Sequence, residues 1–155
     1  MDRGFVVLAD QGRLLDLGNF QAVVLADGDQ TSGDLAVLQT QGEPSGFGPP
    51  LHRHRDAAEA FFVLEGEYLM FLDGEQHLCP PGAFVYVPRG VPHTFKVTSE
   101  GPGRKLNLFT PAAMVGFFEE LAAAEAAGTA TPSALDEIAI RNYMEVLGPV
   151  PDSYL

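Results

Sequence analysis

The chain has little of three things. It holds a single cysteine, Cys79, in 155 residues. No disulfide can form within it, which fits a reducing compartment and makes a cytoplasmic protein the expectation. Cys79 ends an apolar, strand-like run with no basic neighbour in sequence to favour the thiolate, so a buried, inert thiol is expected. Basic residues are scarce too: 9 Lys and Arg stand against 21 Asp and Glu, a formal charge of -12. Such a surface repels phosphate backbones and anionic headgroups, so neither nucleic acid nor membrane is an expected partner. Long apolar runs are missing as well. Phe5–Ala9 is too short for the core of a secretion signal, and no stretch approaches the roughly 20 residues that span a bilayer.

What is present is enough apolar material, 46% of residues, for one substantial core and one domain. Short runs rich in Val, Leu, Phe and Tyr alternate with Gly, Pro, Asp and Asn through the first two thirds. They predict strands at Phe5–Ala9, Leu14–Leu17, Phe20–Ala26, Leu35–Thr40, Glu59–Leu64, Tyr68–Leu72, Gln76–Cys79, Ala83–Val87, His93–Thr98 and Lys105–Phe109. Asp73-Gly74 is a two-residue hairpin signal, Asp27-Gly28 is a second such dipeptide, and Pro80-Pro81-Gly82 must turn. Many short strands at this spacing indicate an all-β antiparallel sandwich or barrel over residues 1–110. Residues 111–155 read as a helical extension of the same domain, packed on the barrel or across its open end. Thr110 is placed as an N-cap with Pro111 at the first helical position, and Met114, Phe117, Phe118 and Leu121 recur at helical spacing up to Gly128. A second helix is expected from a Thr131 cap and Pro132 to about Leu147, with the stripe Leu135, Ile138, Ala139 and Val146, before a short Pro-rich end.

Three of the 4 histidines fall in one frame: Gly46-x5-His52-x-His54-x4-Glu59-x6-Gly66, then Gly82-x5-Pro88-x-Gly90-x2-His93. Imidazole with carboxylate is a common ligand set for divalent transition metals. On a strand, residues i and i+2 share a face, so His52 and His54 can aim at one point, with Glu59 and His93 joining from neighbouring strands. A His-x-His pair alone is more often solvated, and Glu59 alone can be an edge charge; the joint frame carries the reading. His77 reads as a surface histidine. Arg53, Arg55 and Arg89 read as rim charges or salt bridges, with Arg53 pointing away from the histidines.

Both motifs resemble those of the cupins. The first is complete at Gly46, His52, His54, Glu59 and Gly66; the second keeps Gly82, Pro88, Gly90 and His93 but has Val97 where the cupin pattern carries Asn. The resemblance implies a double-stranded β-helix, the jelly-roll barrel, in which His52, His54, Glu59 and His93 hold one divalent transition metal: Fe, Mn, Ni, Co, Cu or Zn. Neutral imidazoles are required, so binding should weaken below about pH 6.

Strand alternation extends the site. If Glu59 points inward, so do Phe61 and Val63; if His93 does, so do Phe95 and Val97, which predicts an apolar substrate pocket. The opposite face of the Glu59 strand carries Phe62 and Leu64. It must be covered by another sheet, by the tail helices or by a partner subunit, and a homodimer is expected. The order of barrel with both motifs, then a helical tail, is similar to that of single-domain bacterial quercetin 2,3-dioxygenase-like cupins. That likeness implies an oxygen-using enzyme acting on a small aromatic or enolic substrate, with Glu59 as both ligand and general base. Related cupins imply two alternatives: non-oxidative chemistry (polyketide cyclase, isomerase or decarboxylase) or binding of a small ligand without turnover.

Overall fold

Where one face of a strand is buried and the other wet, the backbone extends and side chains alternate. Gln21–Ala26 shows this cleanly, with Ala22, Val24 and Ala26 buried and their neighbours partly exposed. The computed structural model describes residues 3–149. Its strands are β1 (Arg13–Asp16), β2 (Gln21–Ala26), β3 (Ala36–Glu43), β4 (Leu51–His54), β5 (Ala58–Glu65), β6 (Tyr68–Leu72), β7 (Glu75–Cys79), β8 (Phe84–Val87), β9 (His93–Val97) and β10 (Gly103–Thr110). Helices α1 (Val115–Ala127) and α2 (Pro132–Arg141) follow, and then β11 (Met144–Gly148). All ladders are antiparallel, in one sheet of order β1-β2-β3-β10-β5-β8 and another of order β11-β4-β9-β6-β7. The two sheets face each other as the double-stranded β-helix. No helix among the described residues is long and apolar enough to cross a membrane.

The turn chemistry explains much of the register. Asp73 and Gly74 both take positive φ, 50° and 84°, and close the β6–β7 hairpin with Leu72 opposite Glu75. Gly66 is needed twice over: its φ is 78°, and a Cβ there would lie 2.9 Å from the Pro102 carbonyl oxygen.

Four sequence expectations need correction. Phe5–Ala9 is no strand, because no sheet edge supplies it a ladder, and Phe5, Val6 and Leu8 are exposed. Asp27-Gly28 does not close a tight hairpin; the Asp27 carboxylate accepts from the Gln30 amide at 3.0 Å and winds a longer loop up to β3. Thr110 is not a helix cap but the last residue of β10, paired with Ala58, so α1 begins at Val115 after a left-handed Met114. The second helix stops at Arg141. Met144–Gly148, expected inside it, pairs with β4 instead, because that strand's outer edge is open and a mixed apolar segment takes the ladder it meets. The expected caps hold elsewhere: Gly128 ends α1 in the left-handed region, and the Thr131 side chain accepts from the Ala134 amide at 3.2 Å with Pro132 at the start of α2. The Pro-rich end beyond Pro149 lies outside the described residues.

Two apolar clusters result. One fills the barrel with Phe61, Val63, Tyr68, Met70, Cys79, Val87, Phe95 and Val97. The other joins Leu17, Ala22, Val24, Ala36, Leu38 and Phe109 to Met114, Val115, Ala139 and Met144, so the tail lies against the barrel's mouth. Cys79 is buried, and burial pushes its thiol up, consistent with an inert group.

Candidate metal centre

In β4 the alternation buries His52 and His54 and leaves Leu51 and Arg53 partly exposed, so both imidazoles enter the barrel. Glu59 enters from β5 and His93 from β9, where His93 pairs directly with His52. One ligand atom from each of the four lies within 4.8 Å of all the others, and all four residues are buried. The Glu59 Oε2 atom sits 2.9 Å from His93 Nε2 and 3.1 Å from His54 Nε2.

The donor set fits a cation. His52 Nδ1 is 2.7 Å from the Pro50 carbonyl oxygen, and His93 Nδ1 is 3.0 Å from that of Val91. A carbonyl only accepts, so both Nδ1 atoms donate and both Nε2 atoms present lone pairs inward when the rings are neutral. This is the outer support usual for ligating histidines. His93 Nε2 then faces a carboxylate oxygen, acceptor against acceptor, an arrangement that only a proton or a metal cation satisfies. His54 Nδ1 is buried without a hydrogen-bond partner among the described residues. Burial, then the neighbouring His93 and His54, lower the pKa of His52 to about 3, which keeps it neutral. Burial works against the charged forms of Glu59 and His93, but hydrogen bonds and charge from His54 and His93 hold Glu59 well below the usual carboxylate range, and the hydrogen bond and charge of Glu59 raise His93.

The cluster borders a cavity of about 660 Å³. Its walls include Phe20, Phe47, Phe61, Phe95 and Phe109 from the barrel, with Met114 and, from α1, Phe117, Phe118 and Leu121. Of the four expected pocket residues, Phe61 and Phe95 line this space. Val63 and Val97 point inward too but are packed in the apolar cluster of the barrel rather than along the cavity. Val97 is therefore core, and its position demands no asparagine. Arg53 turns away from the histidines, with Nη2 at 2.8 Å from Glu145, and Arg55 joins the same carboxylate at 2.6 Å. His77 is exposed, beside Glu75 at 3.6 Å.

Sequence reasoning missed a second polar group on the wall. Lys105, Glu43, Thr40 and Asn107 all border the cavity and all are buried. The available signal was parity, since Lys105, Asn107 and Phe109 alternate on the inward face of β10. It also missed the helical contribution, because Phe117, Phe118 and Leu121 were legible only as a packing stripe.

Two facing antiparallel sheets around a buried three-histidine, one-glutamate cluster define a double-stranded β-helix with an internal metal-type site. Residues 41–109 match the cupin domain. Over 97 residues it is 35% identical to quercetin 2,3-dioxygenase of Bacillus subtilis (strain 168), covering 61% of this chain but only 28% of that protein. The chain thus spans less than a third of this curated relative. A predicted oxalate decarboxylase of Thermotoga maritima superposes with a TM-score of 0.63 at 16% identity, over 69% of this chain and 99% of that one. The polyketide cyclase RemF of Streptomyces resistomycificus superposes at 0.58 with 21% identity, over 70% and 80%. At such identities these two report the fold alone.

Proposed function

We propose that the chain is a metal-dependent dioxygenase of the quercetinase type, acting on a small aromatic or enolic substrate with O2. The observation that carries this reading is the aromatic-walled cavity of about 660 Å³ that borders the four-residue cluster. That volume suits a drug-sized ligand. The local identity to the Bacillus subtilis dioxygenase supports the same choice.

His52, His54, Glu59 and His93 would hold one divalent transition metal, with His52 and His93 fixed by their backbone carbonyls. When bound, such an ion supplies Lewis acidity toward an enol or phenol oxygen. The chain's own groups do the rest. The Glu59 carboxylate accepts the substrate's hydroxyl proton, Phe61, Phe95 and Phe109 orient the ring, and Phe117, Phe118 and Leu121 of α1 add apolar wall. A second reading, non-oxidative cyclase, isomerase or decarboxylase chemistry, needs the same residues without O2.

The deciding experiment is oxygen uptake by protein reconstituted separately with Fe, Mn, Ni, Co, Cu and Zn, offered a flavonol and a panel of enols. Uptake with a redox-active metal supports the dioxygenase; product formed equally under anaerobic conditions overturns it in favour of the second reading. The lone, buried Cys79 supports a reducing compartment such as the cytoplasm. We place the expected homodimer contact on the outer face of β5 and β8, where Phe62 pairs with Phe84 and both stay exposed beside Tyr86.

A further inference from the structure

Lys105 is 1% exposed and paired with Glu43 at 3.1 Å, itself 1% exposed. A buried lysine normally needs its charge balanced, and Glu43 does this. The pairing is incomplete in a directional way. Lysine has three N–H donors. Among the described residues its hydrogen-bond partners are Thr40 Oγ1 at 2.9 Å and the Glu43 carboxylate, at 3.1 Å to Oε1 and 3.4 Å to Oε2. Around the ammonium stand three rings, the nearest that of Phe95, 4.2 Å to its centroid, with Phe61 and Tyr68 each at 5.4 Å. The carboxylate is just as lopsided. Oε1 accepts from Thr40 at 3.0 Å, from Tyr68 at 2.6 Å and from Lys105, whereas Oε2 has only the long Lys105 contact. With the Glu43 carboxylate taking one N–H across its two oxygens, the pair retains one donor direction and one acceptor oxygen with a single long contact, both on residues that line the cavity, with no net charge. That is the complement of a hydroxyl group, which accepts one hydrogen bond and donates another.

Its place in the cavity sets the ligand's length. Phe109 is the β10 residue opposite Glu59, and Lys105 lies four residues back along the same strand and face. At about 3.3 Å per residue this is a backbone step of about 13 Å, and with Lys105 Nζ 5.4 Å from the Phe61 ring and that ring 6.3 Å from the ring of His93, the polar ends stand at most about 12 Å apart. Phe61 and Phe95, between the two polar ends, both line the cavity.

We propose that Lys105 and Glu43 form a hydroxyl-recognising subsite at the far end of the cavity from the histidines. The ligand it selects is an elongated aromatic enol carrying a second, distal hydroxyl. Two-carbon acids are too short to reach both ends, and a distal carboxylate would bring an unbalanced charge to a neutral pair. This rests on the reading of the cavity as an aromatic-enol site.

The test uses the full chain loaded with zinc, which has no redox chemistry, so that binding is read without turnover. Calorimetry gives Kd for 3-hydroxyflavone and for its analogue with one hydroxyl at the far end of the pendant ring. The wild type should favour the analogue by about tenfold, the worth of one buried hydrogen-bonded pair. The charge-balanced variant Lys105→Met with Glu43→Gln, and Glu43→Gln alone, should each lose most of that preference. Both should keep the wild-type zinc content after dialysis, which a merely structural defect would not spare. Equal affinities in the wild type, a preference that survives in both variants, or failure of either compound to bind would overturn the subsite. Oxygen uptake without the preference would sink the subsite and leave the proposed reaction standing. The preference without uptake would do the reverse.

Discussion

Glu59 Oε2 is shared by two imidazoles, at 2.9 and 3.1 Å, and this crowding makes each ligand's removal informative. Losing an outer-shell partner of a metal ligand typically costs 10–100-fold in affinity, so His54→Ala, which removes a proposed ligand, should cost more than about 100-fold. Metal content after dialysis, measured by mass spectrometry, reads this; unchanged content would remove His54 from the site. The four residues of the cluster were legible because their spacing places them in one frame whatever the loops do. The Lys105–Glu43 pair was not. Its partners are 62 residues apart, and nothing local to either says that they meet. Lys105→Met alone strands a buried carboxylate and should destabilise by about 3–5 kcal/mol, while adding Glu43→Gln should recover most of that. Chemical denaturation of the three proteins checks it; equal stability of single and double variants would contradict the burial argument.

At the scale of elements, tight turns were readable and edge choices were not. Asp73-Gly74 dictates its hairpin through positive φ, and Gly74→Ala should cost about 1 kcal/mol, read as a lower midpoint in urea. Met144–Gly148 carries no comparable local instruction. Its residues suit helix or strand, and the open edge of β4 decided. Arg53 and Arg55 then clasp Glu145 across that ladder and hold its pKa down at about 2, chiefly by their hydrogen bonds. Since the folded pKa is the lower one, this clasp is complete above the ordinary value of 4.5 and is lost as the pH falls through about 2. Amide exchange in β11 should therefore accelerate over that acid window and, at neutral pH, in Glu145→Gln; protection unchanged in both would remove the clasp from the account. The same nonlocal logic hid the helical wall of the cavity, since the α1 stripe shows which residues pack but not that they line the space beside the histidines.

For the whole molecule, the jelly roll turns four strand-borne positions into one buried cluster, and a bound ion should stabilise the fold that gathers it. At free metal about 1,000-fold above Kd the linkage is about 4 kcal/mol, or roughly 10 °C in Tm for a domain of this size. Chelation should reverse the gain. The outer face presents Phe84, 65% exposed, and Tyr86, 54% exposed. If that face joins two copies, the double variant Phe84→Asp with Tyr86→Asp should sediment as a monomer where the wild type sediments as a dimer. The most direct measurement for the central claim is anomalous diffraction from crystals grown with metal, collected at that metal's absorption edge. The account predicts one strong peak in the barrel, about 2.0–2.2 Å from an imidazole nitrogen of each of His52, His54 and His93 and from a Glu59 carboxylate oxygen. A barrel without a peak, or a peak bound elsewhere, would contradict it.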